Sequence, residues 1–231
     1  MADKSINHYT FLSLKDSFWS LSNERRADLF RSLAAELTST GSCVNFYQVS
    51  PLKADIDLMI WNALPLENEK DEADFFERVA RPLHSRRAYL QPVVNLWGYT
   101  KPSQYSRGQS TQEIDPFAGQ RQTYLVLYPF VKTIQWYLLG RDTRQGMMNE
   151  HIRVGHQYPE IKQLLLYSFG VQDQEFIVVY ETENLYRFSE LVNELRGSDV
   201  REYTERDTPV YTGVWRSPEP LGALFAGNGD R

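Results

Sequence analysis

The sequence predicts an α+β fold made of two similar halves. Each half runs strand, helix, strand, strand, helix, strand along the chain, which is the split βαβ order of ferredoxin-like domains. In such a domain the helices cover one face of an antiparallel sheet, so the other face must be buried in some other way. We therefore expect a duplicated ferredoxin-like fold of the dimeric α+β barrel type, with two antiparallel sheets packed face to face.

The first half begins with a predicted strand at 9–14. Ser22 and Asn23 are candidate caps of a helix whose apolar residues recur at helical spacing, and Gly41 ends it. Two alternating segments at 44–49 and 55–60 predict strands. A helix at about 68–83 follows, with acidic residues in its first turns that suit the helix dipole, and a strand at 92–98 closes the half. His8 and His84, both in this half, are expected at the surface.

The second half repeats this order. A strand at 123–130 precedes a helix that begins near Asp142 and runs to about 157, with His151 on its apolar stripe. Strands at 164–167 and 176–180 are joined by a turn at Gly170, and a helix at 185–195 and a strand at 210–215 complete the half.

These elements predict four parts of the chain. Residues 1–100 form an N-terminal ferredoxin-like repeat and 123–216 a C-terminal repeat that carries the candidate site. Residues 101–122 lack a periodic apolar pattern and are expected to form a linker loop, a kind of segment that is often functional. Residues 217–231 are expected to be a flexible tail.

Composition excludes several classes of protein. With 231 residues, 42% hydrophobic and 13% aromatic, the chain can build a full core. A net charge of −5 argues against nucleic-acid binding. The single cysteine, Cys43, excludes an internal disulfide framework and is expected to be a buried small apolar residue in a strand. Because no secretory leader or membrane span is present, we expect a soluble, cytoplasmic protein.

His151 is the strongest candidate for a functional residue. A neutral imidazole on a helix is a good axial ligand for haem iron. His156 lies five positions later, about 140° further round an ideal helix, so both rings cannot face one iron. The alternative for His151 alone is a structural histidine on an amphipathic helix, and the ordered series Tyr128, Lys132, Trp136, His151, Gly170 argues against it.

Five short segments carry a resemblance to a known superfamily. They are YPFVK at 128–132, QWY at 135–137, MMNEH at 147–151, YSFG at 167–170 and TPVYTG at 208–213. In order and spacing they resemble the chlorite dismutase and coproheme decarboxylase superfamily, from Tyr124 to Gly213. Gln135 departs from the acid that the family often has before its tryptophan. The resemblance implies two ferredoxin-like repeats per subunit, haem-type binding in the second repeat, and a ring that is usually a homopentamer.

The resemblance also implies roles for individual residues. His151 matches the proximal ligand of the iron, Trp136 the tryptophan beside the porphyrin, and Lys132 the lysine near the propionates. Glu202 roughly matches an acid that hydrogen-bonds the proximal histidine. Tyr105 and Arg107 lie in a stretch similar to one near the porphyrin edge, where an arginine would pair with propionates.

Two positions separate the branches of the superfamily. Chlorite dismutases have a distal arginine in the strand before the Gly170 motif, where this chain has Gln163, as several coproheme decarboxylases do. The decarboxylases also have a tyrosine before the proline of the first motif, which is Tyr128 here. Both markers favour decarboxylation.

The resemblance therefore implies a peroxide-dependent enzyme of haem synthesis. Coproheme would be its substrate and haem b its product, with hydrogen peroxide as the second substrate. Tyr128 would form a radical that attacks a propionate, Lys132 would hold the carboxylate or supply a proton, and Gln163 would hydrogen-bond a distal ligand.

Other interpretations of these residues stay open. Tyr128 can be a packed strand aromatic, Lys132 a solvated strand end, Gln163 an ordinary outward-facing polar residue, and Tyr105 part of a solvated loop. At the level of function, the alternatives are a chlorite dismutase or peroxidase-like haem enzyme, and a non-catalytic haem-binding ring protein.

Overall fold

The computed structural model describes residues 4–39, 42–102, 104–105 and 110–226. The chain divides into two compact units. The first contains the described residues up to Tyr99 and those from Thr212 onwards, and the second runs from Thr100 to Tyr211. Among the described residues, no helix is long and apolar enough to cross a membrane.

The first unit is an antiparallel sheet with helices packed on it. Its strands are β1 (Ser5–Leu14), β2 (Cys43–Gln48), β3 (Leu58–Pro65), β4 (Leu90–Thr100) and β9 (Tyr211–Arg216), and its helices are α1 (Asp16–Trp19), α2 (Asn23–Thr38), α3 (Asp71–Ser85) and α7 (Pro218–Ala226). The strand order is β4-β1-β3-β2-β9. The Ser22 side chain caps α2 by accepting from the Arg25 backbone N–H, as the sequence predicts.

The second unit repeats the plan. Its strands are β5 (Tyr124–Lys132), β6 (Lys162–Tyr167), β7 (Phe176–Thr182) and β8 (Thr204–Arg206), its helices are α4 (Ile134–Leu138), α5 (Arg141–Gly155) and α6 (Leu185–Leu195), and a 3-10 helix spans Asp199–Tyr203. The strand order is β6-β7-β5-β8 with antiparallel pairing. The central strand β7 is buried along its whole length.

Strand order confirms the predicted fold class. In the first unit the first strand lies between the fourth and the third, and the second strand flanks the third. The second unit has the same arrangement, with β8 as its fourth strand. Both are ferredoxin-like, so the chain has a duplicated α+β fold.

The end of the chain corrects the prediction of a flexible tail at 217–231. Residues 218–226 form α7, and Leu221 and Phe225 are buried in the core that α2 builds with its Phe30 and Leu33. Residues 227–231 lie outside the described part. The strand predicted to complete the second repeat, β9, instead pairs with β2 of the first unit, so the boundary at 216 is also wrong.

The predicted linker loop at 101–122 is structured over its second part. The Gln112 amide Nε2 donates to the carbonyls of Gly155, Tyr158 and Ile161, at 3.2, 2.9 and 3.2 Å. Arg121 forms a buried ion pair with Glu181 of β7, at 3.1 Å. This segment is therefore fixed onto β7 and the end of α5, by polar contacts that a search for apolar periodicity cannot detect.

Two residues outside the candidate site also differ from expectation. His8, expected at the surface, is buried on β1, between Thr10 and the rings of Phe75 and Phe76. Cys43 lies at the start of β2 as expected, but it is half-buried rather than buried.

Candidate functional site

Helix α5 packs less completely than its length would allow. All fifteen of its residues are described, yet Val154 is the one that is buried. Met147, Met148 and His151 are only half-buried. An amphipathic helix usually covers an apolar stripe against the core. Much of the inner face of α5 is therefore left uncovered by the residues that the structure describes.

The sheet face below the helices is uncovered in the same way. Tyr128 and Leu165 are both paired with Val178, so the three side chains share one face of the sheet. Val178 belongs to the cluster that α5 and α6 build, which identifies this face as the helix-facing one. Leu165 is nevertheless 37% exposed there. An apolar side chain is thus accessible on the helix-facing side of the sheet.

His151 is held as a neutral imidazole. Burial, and secondarily the nearby Lys132 ammonium, lower the pKa of His151 to about 4. Its Nδ1 atom is buried and has no hydrogen-bond partner among the residues that the structure describes. A neutral ring with a spare nitrogen is what a metal ligand requires.

Lys132 is not a solvated strand end. Its Nζ donates to the Val200 carbonyl at 3.3 Å and to Thr204 Oγ1 at 3.2 Å, and lies 4.7 Å from the centre of the Trp136 ring. The residue is 8% exposed, and burial lowers the pKa of Lys132 to about 8. The lysine is therefore fixed beside Trp136 and His151, and can give up a proton near neutral pH.

Trp136 is the centre of an aromatic cluster. It is buried on α4, 5.8 Å from the ring of Tyr203 and 6.4 Å from that of Tyr105. Tyr105 is half-buried, and its carbonyl accepts from the Gln145 side chain of α5 at 3.0 Å. The structure thus brings Tyr105, Trp136, Lys132 and His151 together.

Tyr128 is a largely buried phenol near several charges. Burial raises the pKa of Tyr128. The charge of Asp207 also raises this pKa, and the charges of Arg196 and Arg201 lower it. Asp207 binds both arginines, at 2.7 Å to Arg196 and 3.0 Å to Arg201. The phenol is therefore protonated at neutral pH, close to guanidinium groups.

Three predicted site residues stand apart from this group. Glu202 is exposed on the 3-10 helix, and the unpartnered Nδ1 of His151 shows that the expected hydrogen bond between them is not made. Gln163 is exposed on β6, opposite Tyr180 on the helix-facing side of the sheet. Arg107 lies outside the described residues.

Sequence reasoning missed three neighbours of the site. Glu175 accepts from the Tyr137 hydroxyl at 2.6 Å and from the Lys132 backbone N–H at 2.8 Å, which ties α4 to the end of β5. The positive charge of Arg201 lowers the pKa of both Lys132 and Tyr128. Tyr180 lies beside Tyr128, with 6.2 Å between the centres of the two rings. The alternation of β7 shows which face Tyr180 lies on, but the partner depends on strand register.

Fold and site together define a class: duplicated ferredoxin-like proteins with a helix-borne neutral histidine facing a partly uncovered, aromatic sheet face. The sequence profile described as Chlorite dismutase matches residues 23–216. The chain therefore belongs to the chlorite dismutase family.

Individual relatives agree with this assignment. The chain is similar to a coproheme decarboxylase of Mycolicibacterium smegmatis, 29% identical over 177 residues, covering 76% of this chain and 74% of the relative. A coproheme decarboxylase of Staphylococcus saprophyticus is 29% identical over 196 residues, covering 78% and 76%. A mutant chlorite dismutase from Candidatus Nitrospira defluvii superposes with a TM-score of 0.85 over 96% of this chain and 95% of that one, at 22% identity, which shows the fold alone.

Proposed function

We propose that the chain is a coproheme decarboxylase that uses hydrogen peroxide to convert two propionates of iron coproporphyrin into the vinyl groups of haem b. One observation carries this proposal. Helix α5 presents the neutral imidazole of His151 at an under-packed sheet face on which the half-buried phenol of Tyr128 also lies. The relatives named coproheme decarboxylase support the choice of substrate.

The residues present fit an iron porphyrin. The Nδ1 of His151 has no hydrogen-bond partner among the described residues, so the neutral ring has a nitrogen that could bind a metal or donate to an acceptor. Leu165 and the half-buried methionines of α5 offer apolar surface to a macrocycle. Trp136 packs beside them and Lys132 contributes positive charge.

Iron coproporphyrin, once bound and supplied with peroxide, provides the two-electron oxidation that each propionate requires. Tyr128, as a radical, takes one hydrogen atom from the propionate β-carbon. A second electron then passes from the propionate to the oxidant that peroxide supplies. The bond to the carboxylate breaks with release of CO₂, and the vinyl double bond forms. Peroxide takes up the two electrons and two protons and yields two waters.

The remaining residues bind and orient the substrate in this proposal. Arg196 and Arg201, already near Tyr128, attract the propionates, and Lys132 supplies charge or a proton. Tyr105 and Arg107 bind further propionates. Gln163 hydrogen-bonds peroxide, and Glu202 would reach His151 only after local rearrangement, because it is exposed in this structure.

The first test adds iron coproporphyrin to the purified chain and follows the visible absorption spectrum. We expect saturable binding that His151→Ala weakens at least tenfold. The matched control is His156→Ala, since His156 is exposed at the end of the same helix. Equal affinity in both variants would remove His151 as the iron ligand.

The second test adds peroxide to the complex and follows porphyrin mass. We expect two successive losses of CO₂, and a rate at least a hundredfold lower in Tyr128→Phe, because phenylalanine cannot give up a hydroxyl hydrogen. Tyr186→Phe is the control, since Tyr186 is exposed on α6. Full-rate haem formation by Tyr128→Phe would exclude the radical role.

The same preparation discriminates the alternatives. Oxygen release from chlorite would indicate a chlorite dismutase, although Gln163 is neutral and cannot hold an anion as arginine does. Porphyrin binding without either reaction would indicate a haem-binding protein. The proposal also places the protein in the cytoplasm and includes assembly as a homopentamer. Light scattering of the purified protein measures the number of subunits in solution.

A further inference from the structure

We infer that Glu175 is a positioning residue for the candidate site, because one of its carboxylate oxygens holds both Lys132 and the short helix that carries Trp136. The inference deepens the proposed function and depends on it for its catalytic consequence. The anchoring of Trp136 can be tested in the chain without any porphyrin.

A single oxygen atom makes both contacts. Glu175 Oε2 accepts from the Lys132 backbone N–H at 2.8 Å and from the Tyr137 hydroxyl at 2.6 Å. The second distance lies in the range of a hydroxyl bound to a carboxylate, which is a strong kind of hydrogen bond. The backbone of Glu175 is held as well, since its carbonyl accepts from the Ser168 N–H at 2.8 Å across the turn between β6 and β7. Two other segments are therefore attached to one fixed carboxylate.

The bond to Lys132 continues the link between two strands. The pairing of β5 with β7 ends at Phe130 and Phe176. Lys132 lies two residues further along, and its N–H binds the side chain of Glu175, the residue just before β7. Because a buried N–H that loses its acceptor destabilises the fold, this bond helps to set where β5 ends. The position of the Lys132 side chain depends on that backbone.

Helix α4 depends on contacts outside itself. It is five residues long, and Trp136 is its buried residue, while Ile134 and Leu138 are exposed. A helix this short is not stable on its own, because a single turn makes too few hydrogen bonds. The Tyr137 hydroxyl, one residue after Trp136, joins the helix to Glu175. This bond therefore helps to hold the indole in place.

The two attached segments meet in the site. Lys132 Nζ lies 4.7 Å from the centre of the Trp136 ring. Glu175 holds the backbone of Lys132 and the residue after Trp136, so it helps to fix the separation of the ammonium from the indole. In the proposed function Lys132 supplies charge or a proton and Trp136 packs beside the porphyrin. Their separation then decides whether both can act on one macrocycle.

The first arm of the test labels the full chain with 5-fluorotryptophan and records its fluorine NMR spectrum without porphyrin. Trp136→Phe assigns the signal of that position. Tyr137→Phe removes one hydroxyl and keeps the ring that lies 6.3 Å from the ring of Phe169. We expect it to shift or broaden the Trp136 signal and to leave those of the other tryptophans in place. Tyr186→Phe, at an exposed position of α6, is the control and should change none of them.

Variants of Glu175 separate its acceptor oxygen from its charge. Glu175→Gln keeps an oxygen with two lone pairs, so the Trp136 signal should stay near its wild-type position. Glu175→Ala removes the acceptor and should shift the signal at least as far as Tyr137→Phe does. Urea unfolding shows that each variant is folded under the conditions of the spectrum. Equal shifts in Glu175→Gln and Glu175→Ala would overturn the inference, because they would assign the effect to the charge.

A second arm loads the same proteins, unlabelled, with iron coproporphyrin and follows the visible absorption spectrum. Tyr137→Phe and Glu175→Ala should each bind it about tenfold more weakly, the size of one hydrogen bond to a charged group. Decarboxylation at saturating coproheme should also slow in both, because Lys132 and Trp136 are no longer held at the right separation. Glu175→Gln should recover most of the affinity and of the rate.

The outcomes are distinguishable. An unmoved Trp136 signal in Tyr137→Phe overturns the inference, whatever the activity. A moved signal with unchanged binding and rate shows that the anchor has no effect on the site, and overturns the positioning role. A moved signal in a chain whose wild type does not decarboxylate coproheme overturns the proposed function and supports the anchoring of Trp136 by Glu175.

Discussion

His8 is a buried base that contacts aromatic and uncharged polar side chains. On β1 it faces Asn62 of β3 and Trp97 of β4 across the sheet, with the rings of Phe75 and Phe76 above it. Burial lowers the pKa of His8 from 6.5 to about 4. Between these two values the unfolded chain binds a proton that the folded chain does not.

We therefore predict that His8 makes the protein less stable as pH falls from 6.5 towards 4. The contribution reaches about 3 kcal/mol at the lower end and is constant above the upper one. Urea unfolding at several pH values measures it. His8→Gln should flatten the decline, while His84→Gln, at an exposed position, should keep it. Equal slopes in the wild type and His8→Gln would contradict the prediction.

Sequence could predict the site residues that carry motifs, but not their contacts. His151, Trp136, Tyr128 and Lys132 fall in short segments with recognisable order. Lys132 contacts Val200 and Thr204, about seventy positions later in the chain, so no local sequence pattern predicts its burial. Expectations about His8 failed for the same reason, since a histidine inside a strand does not show which aromatic residues will cover it.

At the scale of elements, the turn between β6 and β7 depends on one glycine. Gly170 has φ of +72°, in the left-handed region. Side chains with a Cβ pay roughly 1–2 kcal/mol to adopt that conformation. The turn brings Glu175 and the strand that follows it, β7 with Tyr180, back beside β6.

We predict that Gly170→Ala lowers the free energy of unfolding by about 1–2 kcal/mol. Gly146→Ala is the matched control, because Gly146 lies inside α5 and a Cβ added there would meet no other atom within 4 Å, so alanine should stabilise by up to about 1 kcal/mol. Urea unfolding of both variants gives the two values. A destabilising Gly146→Ala, or a neutral Gly170→Ala, would be inconsistent with this account.

Helices with a strong apolar stripe were predictable, and short or irregular ones were not. α6 spans Leu185–Leu195, as its spacing predicts, because Phe188 and Leu191 pack as an amphipathic helix should. α7 contains two prolines and a glycine, so its sequence looked like a tail. Burial of Leu221 and Phe225 against α2 outweighs that weak local preference.

At the scale of the whole molecule, the end of the chain helps to close the first unit. Phe225 is 6% exposed and lies 5.5 Å from the ring of Phe30, in a cluster with Leu221 and α2. The last described helix is therefore part of the core of the unit with which the chain begins.

We predict that Phe225→Ala destabilises the protein by about 3 kcal/mol, the usual cost of truncating a buried phenylalanine. Leu224→Ala is the control, because Leu224 is 45% exposed on the same helix and should change stability by less than about 0.5 kcal/mol. Urea unfolding followed by circular dichroism compares them. Similar losses in both variants would show that α7 is not anchored by Phe225.

The duplicated order of elements could be predicted because the spacing of apolar residues indicates the same series of strands and helices in each half of the sequence. The pairing partner of the last strand could not be predicted, because β9 pairs with β2 through residues more than 160 positions apart. Local preference sets which segments become strands, and long-range pairing decides which sheet position each one takes.

The loose packing of α5 has a dynamic counterpart. A helix held by one buried side chain should open locally at low free energy, so its amide hydrogens should exchange faster than those of β7, which is buried throughout. A flat guest seated beneath α5 would slow that exchange. Without a ligand, the amide hydrogens of α5 are thus expected to exchange quickly at the place where a macrocycle would enter. Once the macrocycle is bound, their exchange should slow.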